Sequence, residues 1–80
     1  MRHTSGIIIN DNIFINSNHV VKIEKIKNSD SEYTIYIHLS ESSMASPVVL
    51  TFDNESKCNE IFKKIIQEMY GFDYAIVNIK

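Results

Sequence analysis

The sequence predicts a small α+β domain in which a short antiparallel β-meander of about five strands packs on one amphipathic α-helix. Three observations predict this fold: an apolar stripe at helical spacing over 54–70, a two-residue alternation over 33–39, and polar breaks between the short apolar runs. Eighty residues provide one hydrophobic core, so we expect residues 1–80 to form a single domain. Within it, residues 1–5 are expected to be a flexible tail and residues 40–47 a mobile loop.

The first two strands are predicted on either side of an Asn/Asp turn. Ile7–Ile9 and Ile13–Ile15 are apolar, and Asn10–Asn12 separates them. Asparagine and aspartate tolerate left-handed backbone conformations, which favours a tight connection here. Asn16–Asn18 forms a second polar break, so another element is expected to begin after it.

The next segment, His19–Lys27, is rich in β-branched residues and is interpreted as a strand. The spacing between apolar residues is two from Val21 to Ile23 and three from Ile23 to Ile26. A β-bulge near 24–25 would keep these side chains on one face. A short helix is the alternative interpretation.

The clearest strand follows a predicted hairpin loop at 28–32. Its apolar residues alternate with polar ones, and a further strand after Pro47 shows the same pattern. The residues expected to face the core are Tyr33, Ile35, Ile37, Leu39, Val48, Leu50 and Phe52.

The helix over 54–70 is predicted from six apolar residues at helical spacing. These are Cys58, Ile61, Phe62, Ile65, Ile66 and Met69. Asp53 or Asn54 can cap the first turn, and Gly71 is placed to end the helix in a left-handed conformation. Residues 74–79 alternate again and predict a C-terminal strand, either at the edge of the same sheet or across an interface with a partner.

Composition and charge argue against several classes of function. The net charge of −2 gives no basic surface of the kind that nucleic-acid binding requires. The single cysteine, Cys58, excludes an internal disulfide and a CxxC motif, so a reducing cytoplasmic location is expected. The sequence shows neither a signal-peptide pattern nor an apolar run long enough to span a membrane.

No catalytic or ligand-binding motif is present. His3, His19 and His38 lack the spacing of metal ligands, and the chain's two glycines do not form a phosphate-binding loop. Cys58 lies on the apolar stripe of the helix, where a thiol behaves as a buried hydrophobe. We therefore expect no enzymatic activity, no metal and no cofactor.

The sheet face away from the helix is the predicted contact surface, together with the C-terminal strand. Such a face is rather apolar and aromatic for a monomer, which is typical of interaction sites. A sheet that curls enough to bury part of both faces is the alternative. The candidate protein-binding residues are Thr34, Tyr36, His38, Val49, Thr51, Tyr74 and Ile76.

These features favour a small non-enzymatic module that binds another protein. The fourteen isoleucines, set against one arginine, fit an AT-rich bacterial or phage genome, and an inhibitor of a host defence complex is one form of such a module. A structural, homodimer-forming domain is the alternative. Binding of single-stranded nucleic acid by Tyr36 and Phe14 is a third hypothesis, which lacks cationic support.

Overall fold

Five antiparallel strands and one helix form the molecule in a computed structural model that describes residues 6–40, 47–72 and 74–79. The strands are β1 (Gly6–Ile9), β2 (Ile13–Asn16), β3 (Val20–Ser29), β4 (Glu32–Leu39) and β5 (Val48–Phe52), and the helix is α1 (Glu55–Tyr70). The α+β class and the order of these elements are as predicted. The predicted tail at 1–5 and positions 41–46 of the predicted loop lie outside the described residues.

The first hairpin is built around the predicted Asn/Asp turn. Asn10 and Asp11 have positive φ angles of 52° and 63°, and the backbone N–H of Asn12 donates to the carbonyl of Ile9 at 3.1 Å. Two consecutive residues with positive φ are typical of a type I′ turn, whose twist matches that of paired strands. The turn at Asn10–Asn12 joins the two strands, in which Ile9 pairs with Ile13.

The strands form two sheets, β1–β2 and β3–β4–β5, whereas the sequence predicted one continuous meander. A short 3₁₀ helix, Ser17–His19, separates them, and the side chain of Asn16 accepts a hydrogen bond from the backbone N–H of Asn18 at 2.9 Å. This local turn changes the direction of the chain between β2 and β3. Consequently β1 and β5 are each paired on one side in the described sheets.

The register of β3 on β4 contradicts the predicted bulge at 24–25. Pairing is continuous from Lys22 to Lys27, and the irregularities fall instead between Val20 and Lys22 and between Lys27 and Ser29. A regular strand places Ile23 and Ile26 on opposite faces, and Ile26 is accordingly exposed on the face away from the helix. The predicted bulge was wrong because it was inferred from apolar spacing alone, whereas the strand keeps a regular register and leaves Ile26 outside.

The core lies between the three-stranded sheet, the first hairpin and α1. Its fully or nearly fully buried apolar side chains are Ile15, Tyr33, Ile35, Ile37, Cys58, Ile65 and Met69. Partly buried side chains from β1, β3, β5 and α1 pack around them. The predicted core faces of β4 and β5 are therefore confirmed, as is that of the helix apart from Ile66, which is only partly buried and lies outside this cluster.

The helix begins and ends at the residues that the sequence predicts, but Gly71 has a ψ of −143° and so does not adopt the expected left-handed helical conformation. The side chain of Asn54 accepts a hydrogen bond from the backbone N–H of Lys57 at 3.0 Å, which satisfies one free donor of the first turn. Gly71 ends the helix with a φ of 68°, and its N–H donates to the carbonyl of Gln67 at 2.8 Å. Glycine adopts this φ without the steric cost that a Cβ atom brings.

The predicted C-terminal strand is absent: residues 74–79, which include the candidate site residues Tyr74 and Ile76, form no strand. Their side chains are exposed, and the backbone N–H of Tyr74 donates to the carbonyl of Phe72 at 3.0 Å. An alternating pattern forms a strand only where a neighbouring strand is available for pairing.

Candidate interaction surfaces

The face of the three-stranded sheet opposite α1 carries five of the seven predicted contact residues. Strand register places Tyr36 beside Val49 and Thr34 beside Thr51, and His38 lies two residues along β4 from Tyr36. Side chains two residues apart on a strand share a face. The structure thus brings these five residues onto one surface, which we call the outer face. Tyr74 and Ile76 lie outside this sheet.

Polar groups on the outer face interact largely with one another. His38 Nε2 lies 3.1 Å from Glu24 Oε1, and the His38 ring stacks on that of Tyr36 with 6.2 Å between centroids. Lys22 Nζ is 4.0 Å from the same Glu24 oxygen. Thr34 is only 2% exposed, so it offers almost no surface to a partner. Tyr36 and His38 remain partly exposed and can contact a partner. Part of their polar and aromatic surface is already used in interactions within the sheet.

A groove separates the two sheets and was not predicted from the sequence. It has a volume of about 800 Å³ and lies between β1 and β5. The side chains of Ile61 and Ile65 from α1 contribute to its lining. The other lining residues are Gly6, Ile7, Ile8, Ile9, Asn10, Leu50, Phe52, Lys57, Lys64 and Glu68.

Exposed apolar side chains continue from this groove onto the first hairpin. Ile8 lines the groove and is 66% exposed, and its cross-strand partner Phe14 is 64% exposed. The Phe14 ring lies over Gly6: a Cβ atom added at position 6 would be only 2.6 Å from that ring. Ile8 and Phe14 form a patch that we call the hairpin patch. The run of three isoleucines at 7–9 is the sequence signal for it, since adjacent strand residues face opposite sides.

The helix side of β3 holds a lysine where an apolar residue is more usual. Lys25 pairs with the buried Ile35, so it shares the face toward α1. Its ammonium donates to Asn59 Oδ1 and lies 5.1 Å from the centroid of the Phe62 ring. The aliphatic stem can cover the helix while the charge stays near solvent and the aromatic ring.

Cys58 of α1 is fully buried in the core. Desolvation by burial raises the pKa of the thiol; the positive charge of Lys25 acts in the opposite direction, and Glu55 adds to the increase. Burial likewise raises the pKa of Tyr70, whose hydroxyl donates to the carbonyl of Ser17 at 3.3 Å. Both groups are therefore held in their neutral forms, and a protonated thiol is a poor nucleophile.

Alkaline pH is expected to destabilise the fold through Cys58. Because its pKa is raised in the folded state, the unfolded chain loses the thiol proton first, near the ordinary pKa of about 9. Each proton released only by the unfolded chain lowers the free energy of unfolding by about 1.4 kcal/mol per pH unit. The stability contribution is thus complete below pH 9 and declines as pH rises toward the folded pKa.

Urea denaturation between neutral and alkaline pH, with the wild type beside Cys58→Ala, measures this effect. We expect the difference in stability between the two proteins to shrink above pH 9, because only the wild type has this thiol. Curves that stay parallel across this range would contradict the proposed linkage.

Over 6–40, 47–72 and 74–79, no three histidine, cysteine or acidic side chains form a group that could hold a metal ion. In that same part of the chain, no helix has the length and apolar character needed to cross a bilayer.

Similarity to known proteins does not indicate a role for the outer face, the groove or the hairpin patch. Comparisons of the chain with protein-family models, with curated proteins and with solved structures find no significant match.

Proposed function

We propose that this chain is a small non-enzymatic module that acts by binding another protein. The observation that supports this function is the hairpin patch, where Ile8 and Phe14 are both about two-thirds exposed beside an apolar groove. Contiguous apolar surface next to a concave site is typical of protein interaction sites, and aromatic residues are enriched at their centres. The outer face, with Tyr36 and His38, is a second surface available to the same partner.

The charges around the groove favour a protein over a nucleic acid as the partner. Lys57 and Lys64 line it together with Glu68, so the local charge is mixed. The net charge of −2 also gives no attraction to phosphates. A module encoded by a phage or mobile element, which blocks a host complex by occupying its surface, is one form of this function.

Affinity capture from a lysate of the native host, with mass spectrometry as the readout, tests the proposal. The tagged wild type is compared with Ile8→Asp and Phe14→Asp, which place a charge in the hairpin patch. Val21→Asp is the matched control, because Val21 is 67% exposed and lies outside the groove lining. A Tyr36→Glu/His38→Glu variant examines the outer face separately.

We expect a protein that the wild type and Val21→Asp retain and that the two hairpin-patch variants lose. Circular dichroism of each variant confirms that the fold is intact. Capture of the same protein by every variant, or of none by the wild type, would contradict the proposed function. Loss in the Tyr36→Glu/His38→Glu variant alone would place the contact on the outer face instead.

A homodimer is the second candidate function, and a specific observation favours it. The groove lies between two strands, β1 and β5, that are each paired on one side in the described sheets. Free strand edges are templates for pairing with a further strand. Residues 74–79 of the chain itself have the alternating sequence pattern of such a strand.

A further inference from the structure

Residues 74–79 have the composition of a strand that is covered on both faces. On an extended chain Ala75, Val77 and Ile79 share one wholly apolar side. The other side carries the apolar Tyr74 and Ile76 followed by the polar Asn78. Apolar residues on both sides are typical of strands buried between two layers. In the structure Ile76 is 79% exposed and Ile79 is 89% exposed, so the segment lacks the burial that its composition favours.

The groove between β1 and β5 matches this segment in length. The flanking strands contain four and five residues, and the segment contains six. An added strand could pair with both free edges, which would join the two sheets into one.

The groove also matches the segment in chemistry. Residues 74–79 carry no charged side chain, so nothing ionised would enter the apolar part of the groove and lose its hydration. One side of an inserted strand would face Ile61 and Ile65 of α1, and the other would lie beside the exposed Ile8 of β1. The side of the segment that faces α1 would therefore be buried, and the other side would extend the exposed apolar face at Ile8.

We propose that residues 74–79 of one copy insert as a strand into the groove of a second copy, and that the exchange is reciprocal. The segment lies exposed on its own chain although its own groove is open, which indicates exchange between copies rather than closure within one. Reciprocal exchange around a two-fold axis would fill both grooves and pair the free edges of β1 and β5 in each copy. This inference rests on the second candidate function, the homodimer, and names the segment and the groove that would form its interface.

The first experiment measures the mass of the purified full-length chain in solution by sedimentation over a range of concentrations. We expect a monomer–dimer equilibrium for the wild type. Ile76→Asp/Ile79→Asp is expected to raise the dimer dissociation constant roughly 100-fold or more, because it places charges in an apolar groove. Val21→Asp, a similarly exposed apolar residue elsewhere, should leave the constant unchanged.

The second experiment locates the segment by amide hydrogen exchange at concentrations where each form predominates. Amides of residues 74–79 should be protected in the dimer and exchange freely in the monomer. A monomer at every concentration, a dimer unaffected by Ile76→Asp/Ile79→Asp, or protection of the segment within the monomer would each overturn the proposal.

These readouts separate the inference from the proposed function. Self-exchange is measured on the purified chain and depends on Ile76 and Ile79, whereas capture of a different protein depends on Ile8 and Phe14. Either can fail while the other stands.

Discussion

Replacement of Ile37 with alanine is expected to lower the free energy of unfolding by about 2–5 kcal/mol. Ile37 is fully buried on β4, the central strand of its sheet, and is paired with Ile23 on one side and Val48 on the other. Removing its side chain leaves a cavity that strand neighbours on both sides cannot easily fill. A chain of this length has a total stability on the order of 4–12 kcal/mol, so the loss is a large fraction of it.

Urea denaturation followed by circular dichroism measures this loss, and Val49→Ala is the matched control. Val49 lies next to Val48 on β5 but is half exposed on the outer face, so its truncation should cost less than about 1 kcal/mol. Equal losses in the two variants would show that Ile37 is not a core residue.

Gly6→Ala is expected to disrupt the pairing of β1 with β2. A Cβ atom at position 6 would lie 2.5 Å from the backbone oxygen of Ile15, the residue before its pairing partner Asn16. A backbone oxygen cannot move without disturbing the strand, so we expect a loss of about 1–3 kcal/mol, typical of overpacking. Amide exchange should show faster exchange in β1 and β2 than in the wild type.

Phe14→Ala tests the physical cause of this effect. It removes the aromatic ring above Gly6 but leaves the Ile15 oxygen in place. Gly6→Ala should therefore remain destabilising in the Phe14→Ala background. Wild-type exchange rates in Gly6→Ala, or full rescue by Phe14→Ala, would contradict the backbone explanation.

Features that depend on local sequence were predictable. The helix could be placed because Cys58, Ile65 and Met69 recur at its period and because Asn54 and Gly71 supply caps. The first hairpin could be placed because Asn10 and Asp11 favour the positive φ angles that its turn requires. In each case the interactions that determine the structure lie within a few residues of one another.

Features that depend on distant contacts were not predictable. The division into two sheets follows from the direction of the chain after Ser17–His19, which composition does not specify. A bulge near 24–25 was expected from the spacing of Ile23 and Ile26, whereas the regular register with β4 pairs Ile26 with Thr34 and places it on the face away from the helix. The strand predicted at 74–79 needs a pairing partner, and pairing is not encoded in alternation alone.

The candidate site was predictable only in part. Period-two alternation was enough to put Tyr36 and His38 on one face, but it could not show that Thr34 is buried or that Glu24 contacts His38. The groove depends on how two sheets sit against one helix. Its only local signal is the apolar run at 7–9, which indicates that one isoleucine must remain exposed.

Pairing between neighbours in the chain has a consequence for how the molecule folds. In the described sheets each strand pairs with the one before or after it, so most contacts form over short loops. Low sequence separation of contacts is associated with rapid folding. We expect the two sheets to nucleate independently and in either order. The helix contacts β1, β4 and β5, so its docking is the step at which two local structures become one cooperative domain.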